Sequence, residues 1–191
     1  AKAAAVLVPE DFPDTGERLV WRVAKPRIAF LKITELYIDK HASQGIHEKA
    51  SVDPRARLGE DVTVEPFAIV GPRVEIGKGT IVGAMALIEK DTTLGEGCPV
   101  FHGAVLGTDP QDLKYAGEPT QLVVGDRTTV REYATLNRGT SASGCTRVGS
   151  DCLLMAYTHV AHNCSVGDHV ILANSVQLAG HVDIEDYAIL G

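Results

Sequence analysis

The amino-acid sequence predicts an all-β fold: a parallel β-solenoid of hexapeptide repeats over residues 46–191, preceded by a small α/β segment and linker over residues 1–45. Three observations predict it. Stepping by six from Ile46 meets Val52, Leu58, Val64, Val70, Ile76 and onward to Leu106, then resumes at Val124 and runs to Leu190, with only Asp112, Glu118 and Ala142 departing from Ile, Leu or Val. Four residues after most of these aliphatics stands a small side chain, as at Ala68, Thr80, Ala86, Cys98, Ala104, Thr128, Ala134, Cys152 and Cys164. Aromatic residues make up only 5% of the chain against 19 glycines, which suits a regular core of small aliphatic groups.

Each hexad then reads as one flat side and one corner. Two inward positions spaced by two make a short strand, because successive side chains of a strand point to opposite faces. The glycine that follows many of the aliphatics, at Gly59, Gly71, Gly77, Gly95, Gly125, Gly149 and Gly167, is read as the residue that permits the tight turn. An aliphatic every sixth residue would wander around a helix of 3.6 residues per turn, so a helical reading fails. Three hexads make a triangular coil of about 18 residues that rises about 4.8 Å, and no single coil can bury its own inner face.

The exceptions lie in "GTDPQDLKYAGEPTQ" and "RGTSASGCT", polar stretches with Gly or Pro punctuation that read as loops extruded from the coils. Phase survives both, which points to insertions of whole hexads. Residues 1–45 do not follow the repeat and read either as a packing cap over the first coil or as the remnant of a ligand-binding domain. "AVLVP" and "RLVWRVA" read as short strands, Pro26 with "RIAFLKITELY" as an amphipathic helix with proline in its first turn, and "DKHASQ" as a linker.

A net charge of −7 argues against a general nucleic-acid binder, which needs a basic surface to neutralise phosphates. No apolar run approaches the roughly 18 residues of a membrane-spanning helix, and the first residues show no signal-peptide core. Cys98, Cys145, Cys152 and Cys164 form no C-x-x-C pair, which fits a reducing, cytoplasmic setting. Three of them occupy small inward positions, where the expected role is packing.

Four of the seven histidines, His159, His162, His169 and His181, fall in "THVAHNCSVGDHVILANSVQLAGHV". His181 lies three hexads beyond Asn163, so coil stacking sets it beside the corner that carries His162. Zinc needs three converging protein ligands, and His159, His162 and His181 are three candidates. The zinc-binding solenoids of the γ-type carbonic anhydrases use H-x-x-x-x-H, however, and this chain has H-x-x-H, so the expectation is no metal and no cofactor. An imidazole with a pKa of about 6.5 is the natural group to activate a hydroxyl near neutral pH. Gly180, beside His181, lets an oxygen approach a backbone N–H. No G-x-S-x-G elbow or cysteine nucleophile signature is present, so direct transfer between two bound substrates is favoured over a covalent enzyme intermediate.

Together the hexads, "QDLKYAGEPT", "RGTSASGCTRVGSDCLLM", "HVAHNC" and "LAGHV" resemble the acyl carrier protein-dependent UDP-N-acetylglucosamine O-acyltransferases of lipid A biosynthesis, over about residues 46–191. The resemblance implies a left-handed parallel β-helix that forms a homotrimer. It implies transfer of a 3-hydroxyacyl chain from acyl carrier protein to the 3-hydroxyl of the sugar nucleotide. Carried over by position, His162 matches the general base and the Gly180 N–H the oxyanion donor. His159 and His181 match substrate-contacting histidines, and Asp112 and Lys114, with Gln111 assisting, match residues that hold the sugar nucleotide. Asn163 stands where an aspartate often follows the base, and Asn137 where histidine is found. The family's later coils and helical C-terminal domain are not matched, so the chain reads as truncated before that region.

"VLVPEDF", "VAKPRIAFLKITELY" and "GIHEKASVDPRARLGEDV" resemble instead the UDP-3-O-acylglucosamine N-acyltransferases, at the end of the uridine-binding domain and its linker. Two alternatives therefore stand beside O-acylation: N-acylation of a UDP-3-O-acylglucosamine, and a non-catalytic trimeric scaffold. Arg127, Arg131, Arg138 and Arg147 offer either a basic track for the acidic carrier or ordinary solvated surface charge.

Overall fold

The computed structural model describes residues 5–13, 19–37 and 45–191. The chain divides into two compact units, residues 1–42 and 43–191. In the first, strands Ala5–Val8 and Leu19–Arg22 pair in parallel, Ala5 against Leu19 through Val8 against Arg22. A helix, Pro26–Tyr37, follows, with proline at its first position, where a missing N–H costs nothing. Strands and helix bound an open apolar hollow of about 530 Å³ lined in part by Val6, Leu7, Trp21 and Phe30. The linker read at 39–44 lies outside the described residues.

The second unit is a left-handed parallel β-helix. Its strands form three seven-stranded parallel sheets, one for each side of a triangular prism. The first face holds Ser51–Val52, Ile69–Val70, Leu87–Ile88, Val105–Thr108, Thr135–Asn137, His159–Val160 and Gln177–Leu178. The second runs from Arg57–Leu58 to Asp183–Ile184 and the third from Thr63–Val64 to Ile189–Leu190. Register advances by three hexads per coil, as in Val52 against Val70 and Val82 against Val100. Two steps are longer: Leu94 pairs with Val124, five hexads on, and Val124 with Val148, four hexads on. The first extruded loop therefore adds two hexads and the second adds one, and the coil above each loop resumes in phase.

Inward aliphatics and their small partners fill the prism. Val70, Val82, Ile88, Leu106, Leu136, Leu154 and Leu172 are all at most 1% exposed, as are Ala68, Ala104 and Ala134. Polar members of the small set are buried where they meet a carbonyl of the next coil. Thr80 Oγ1 donates to Gly95 O (2.8 Å), Cys98 Sγ to Gly125 O (3.1 Å) and Thr128 Oγ1 to Gly149 O (2.7 Å). The cysteines are free, and burial pushes their thiols above the usual value, which suits packing and not nucleophilic attack.

The corner glycines do a different job from the one the sequence suggested. Gly77 and Gly149 do not adopt positive φ. Each lies where a Cβ would strike the next coil: at Gly77, 2.5 Å from Gly95 C and 2.6 Å from Glu96 N; at Gly149, 2.6 Å from Gly167 C. Left-handed backbone falls instead further round the corner, at Asp61, Asp91, Arg127, Asp151, Asn163 and His181 among others, with φ between 52° and 62°. Glycine is needed here for close approach, and the strained turn position is carried mostly by Asp, Asn, His and Tyr. An aspartate ladder accompanies the approach: Asp126 accepts the N–H of Glu96 (2.8 Å), Asp168 that of Ser150 (2.7 Å) and Asp186 that of Asp168 (2.8 Å).

Candidate active site

The site grows from the corner that joins the first face to the second. Strand His159–Val160 ends before Ala161, and the chain turns through His162 and Asn163, the latter at φ 61°, before Cys164 points back into the core. Asparagine suits that turn because its short polar side chain tolerates the left-handed region. One coil on, Gly180 and His181 repeat the turn directly above, and the His181 N–H donates to His162 O (3.1 Å).

Stacking brings the rings together. The imidazoles of His162 and His181 meet edge to face, with centroids 5.2 Å apart. The Cε1–Nε2 edge of His162 lies beneath Gly180, where a Cβ would come within 2.6 Å of Cε1 and 2.8 Å of Nε2. Gly180 is thus the space the ring occupies, and its own N–H makes no hydrogen bond among the described residues. His159, on the first-face strand that leads into this corner, is half-buried, and its Nδ1 lies 2.8 Å from Thr135 Oγ1 on the coil below. Burial holds its imidazole below the usual value, so the ring is neutral at pH 7.

The opposite edge of His162 is held by its neighbour. Nδ1 lies 2.8 Å from Asn163 Oδ1. Asn163 is 8% exposed, and its Oδ1 also accepts the N–H of Thr140 (3.0 Å) and the hydroxyl of Thr140 (2.8 Å). A backbone N–H can only donate, so the Asn163 atom that faces it is the oxygen. His162 Nδ1 then carries the proton, and Nε2 carries the lone pair.

The first loop supplies the remaining predicted residues. Gln111 lines a cavity of about 490 Å³ with Glu89, Lys90, Asp109, Asn137 and Arg138. Arg138 lies four hexads before His162, the step by which Thr135 pairs with His159, so this cavity opens along the same corner of the prism. Asn137 is buried and donates to Thr108 Oγ1 (2.8 Å) and Asp109 O (2.7 Å). Asp112 and Lys114 sit in the same loop but do not line the cavity. The Lys114 N–H donates to Asp112 Oδ1 (2.9 Å) in a local turn, and no hydrogen bond or ion pair among the described residues ties either side chain to the histidines.

Three of the four arginines considered as a carrier track are already engaged. Arg127 holds Asp151 with two bonds of 2.8 and 2.7 Å, Arg131 holds Glu132 with two of 2.9 Å and stacks over Phe101, and Arg138 is 1% exposed and bonded to Gly107 O and Asp109. Only Arg147 of the four is exposed without an ion-pair partner among the described residues. A neutralised guanidinium adds little to a long-range field, so these four form no basic track. Among the described residues, no group of three or more His, Cys, Asp or Glu is placed to hold a metal ion.

Sequence reasoning missed Thr135, Thr140 and Ser143, which sit beneath or across from the histidines. Thr135 was within reach of it, because the four-hexad step across the second loop sets Thr135 under His159.

Comparison with known proteins bears on the repeat and the fold. A family profile described as bacterial transferase hexapeptide (six repeats) matches residues 55–90 and 145–180. The acyl-[acyl-carrier-protein]–UDP-N-acetylglucosamine O-acyltransferase of Alkalilimnicola ehrlichii is 65% identical over 147 residues, 76% of this chain and 57% of that protein. Among solved structures, LpxA from Acinetobacter baumannii matches with 44% identity and a TM-score of 0.76, over 76% of this chain and 57% of that one. The UDP-N-acetylglucosamine O-acyltransferase of Moraxella catarrhalis matches with 41% identity and a TM-score of 0.75, over the same shares. The chain thus spans little more than half the length of these relatives, and over that span its β-helix is similar, in sequence and in fold, to UDP-N-acetylglucosamine O-acyltransferases.

Proposed function

We propose that this chain carries the β-helical part of an acyltransferase that moves a 3-hydroxyacyl group from acyl carrier protein to the 3-hydroxyl of UDP-N-acetylglucosamine. The observation that carries the reading is the seat of His162: its Nδ1 lies 2.8 Å from Asn163 Oδ1, an acceptor that favours the Nδ1–H form, and its Nε2 lies beneath Gly180. In this reading Nε2 takes the proton of the sugar hydroxyl as its oxygen attacks the thioester carbonyl. The oxygen of the tetrahedral intermediate is met by the Gly180 N–H. Collapse breaks the carbon–sulfur bond, and the imidazolium returns the proton to the departing thiolate. No covalent enzyme intermediate is needed. His159 and His181 flank the acceptor, and Gln111, Asp112 and Lys114 hold the sugar nucleotide from the extruded loop.

A homotrimer is part of the proposal, and the distribution of surface residues supports it. Outward positions of the third face include Ile81, Leu153, Ile171 and Ile189 beside Thr63, Pro99 and Thr129, and those of the first include Ile69, Leu87 and Val105 beside Ser51, Thr135, His159 and Gln177, whereas the second presents Arg57, Glu75, Arg147 and Asp183 beside Thr93, Val123 and Ser165. At the corner between the two apolar faces stand Phe67, Met85, Tyr133 and Tyr157, each 46–60% exposed. The exposed apolar side chains along this corner suit closed symmetric packing. A cytoplasmic setting agrees with the free cysteines, and no helix among the described residues is long and apolar enough to cross a membrane. The N-terminal unit is read as the remnant of a uridine-binding domain of the N-acyltransferase type, on the likeness of its motifs.

The test is acyl transfer from 3-hydroxyacyl carrier protein to UDP-N-acetylglucosamine by the chain and by His162→Ala. Turnover that the variant lacks is the expected result. No turnover from a folded trimer would favour the scaffold reading, and turnover only with a UDP-sugar amine would favour N-acylation.

A further inference from the structure

The second extruded loop, residues 139–144, is bonded to the coil above it more closely than a solvated excursion requires. The register shows it as one added hexad. Two of its side chains and one stretch of its backbone converge on Asn163. The Thr140 N–H and hydroxyl both donate to Asn163 Oδ1 (3.0 and 2.8 Å), while Asn163 Nδ2 donates to Thr140 O (3.4 Å) and to Ser143 Oγ (2.5 Å). Thr140 is itself 6% exposed. Thr140 therefore presents a donor and an acceptor side by side, and the amide of Asn163 matches both. A carboxylate there would set an oxygen against the Thr140 carbonyl. A flipped amide would set its NH₂ against the Thr140 N–H. Both alternatives leave a buried polar group facing a like partner, which costs more than the bond it replaces.

We propose that the 139–144 loop is a clamp that sets the tautomer of His162 through Asn163, which makes Thr140 a positioning residue for the base. Thr140 orients the amide, the amide oxygen receives the Nδ1–H of His162, and Nε2 is left bare toward Gly180. The acceptor is neutral, so what it supplies is orientation and tautomer, with no ion pair to the imidazolium. The inference rests on the reading of His162 as the base, but the state of the ring can be observed without turnover.

The experiment is long-range ¹H–¹⁵N correlation spectroscopy of the histidine rings in the ¹⁵N-labelled chain, with steady-state kinetics alongside. The native His162 ring is expected with Nδ1 protonated and Nε2 bare. Thr140→Val, which keeps the backbone N–H and carbonyl and loses one of the two donors to Asn163 Oδ1, is expected to raise the Nε2–H fraction modestly and to lower kcat about threefold with KM changed less than about twofold. Thr140→Ser is expected to recover the Nδ1–H form. Asn163→Gly, tolerated by the left-handed backbone, removes the acceptor and is expected to shift the tautomer furthest. A native ring protonated at Nε2, or a tautomer indifferent to both Thr140→Val and Asn163→Gly, would overturn the clamp. The expected spectra without acyl transfer would leave the clamp standing and remove the enzymatic reading. Transfer that depends on His162 but not on Thr140 would remove the clamp alone.

Discussion

Gly180 sits over the imidazole of His162 so closely that a Cβ would fall 2.6 Å from Cε1. The two residues belong to successive coils, and the missing side chain of one is the space occupied by the ring of the other. Gly180→Ala is therefore expected to push the His162 ring out of line and lower kcat by about 10²-fold. The shift in melting temperature should be small, because the corner is half-exposed. A variant with native kcat would show that the ring relaxes at no cost.

Thr158 and Thr128 make a matched pair for stability. Both are buried at small inward positions, but Thr128 Oγ1 donates to Gly149 O and accepts the Cys152 N–H, whereas Thr158 Oγ1 has no partner among the described residues. Thr158→Val should raise unfolding stability by about 1 kcal/mol, and Thr128→Val should lower it by about 1–3 kcal/mol. Denaturant titration of the two variants checks the opposite signs.

The neutral His159 predicts an acid-sensitive stability. Burial lowers the folded pKa below the unfolded value of about 6.5, so the unfolded chain takes up the proton first. Stability is complete above about pH 6.5 and is lost as pH falls through the folded pKa. The melting temperature of the native chain should drop more steeply with acidification than that of His159→Gln. Parallel curves would exclude a buried neutral ring.

The Arg73–Asp91 pair predicts a loss at lower pH. Arg73 grips Asp91 on the next coil with bonds of 2.7 and 2.8 Å, and the guanidinium holds the carboxyl below its usual range. The pair stabilises the folded chain above the unfolded Asp value of about 3.9 and ceases to do so as pH falls through the lowered folded pKa. Arg73→Ala should thus melt below the native chain near neutrality, and the two should converge in strong acid. A difference that persists in acid would assign it to the packing of the arginine stem.

The inward residues of the prism were readable in advance because they obey two periods at once, six along the chain and two within each strand. Val70, Leu106, Leu136 and Leu172 are core by both. The histidine corner was half-readable. A three-hexad step sets His181 over Asn163, yet nothing in that spacing says that the ring under Gly180 is that of His162, or which of its nitrogens faces outward. Glycine at a corner reads as a turn residue because it usually marks one, and only the neighbouring coil shows that Gly77 and Gly149 make room for backbone.

By itself the sequence determined the solenoid, its three-hexad coil, its inward side chains and the corner on which His162 falls, since each follows from a repeat that local sterics and burial read residue by residue. Only the tertiary structure decided how the 139–144 loop folds back on Asn163, how the arginines are neutralised and which face of His162 is left bare. Those outcomes depend on contacts between side chains on neighbouring coils and on loops that obey no period.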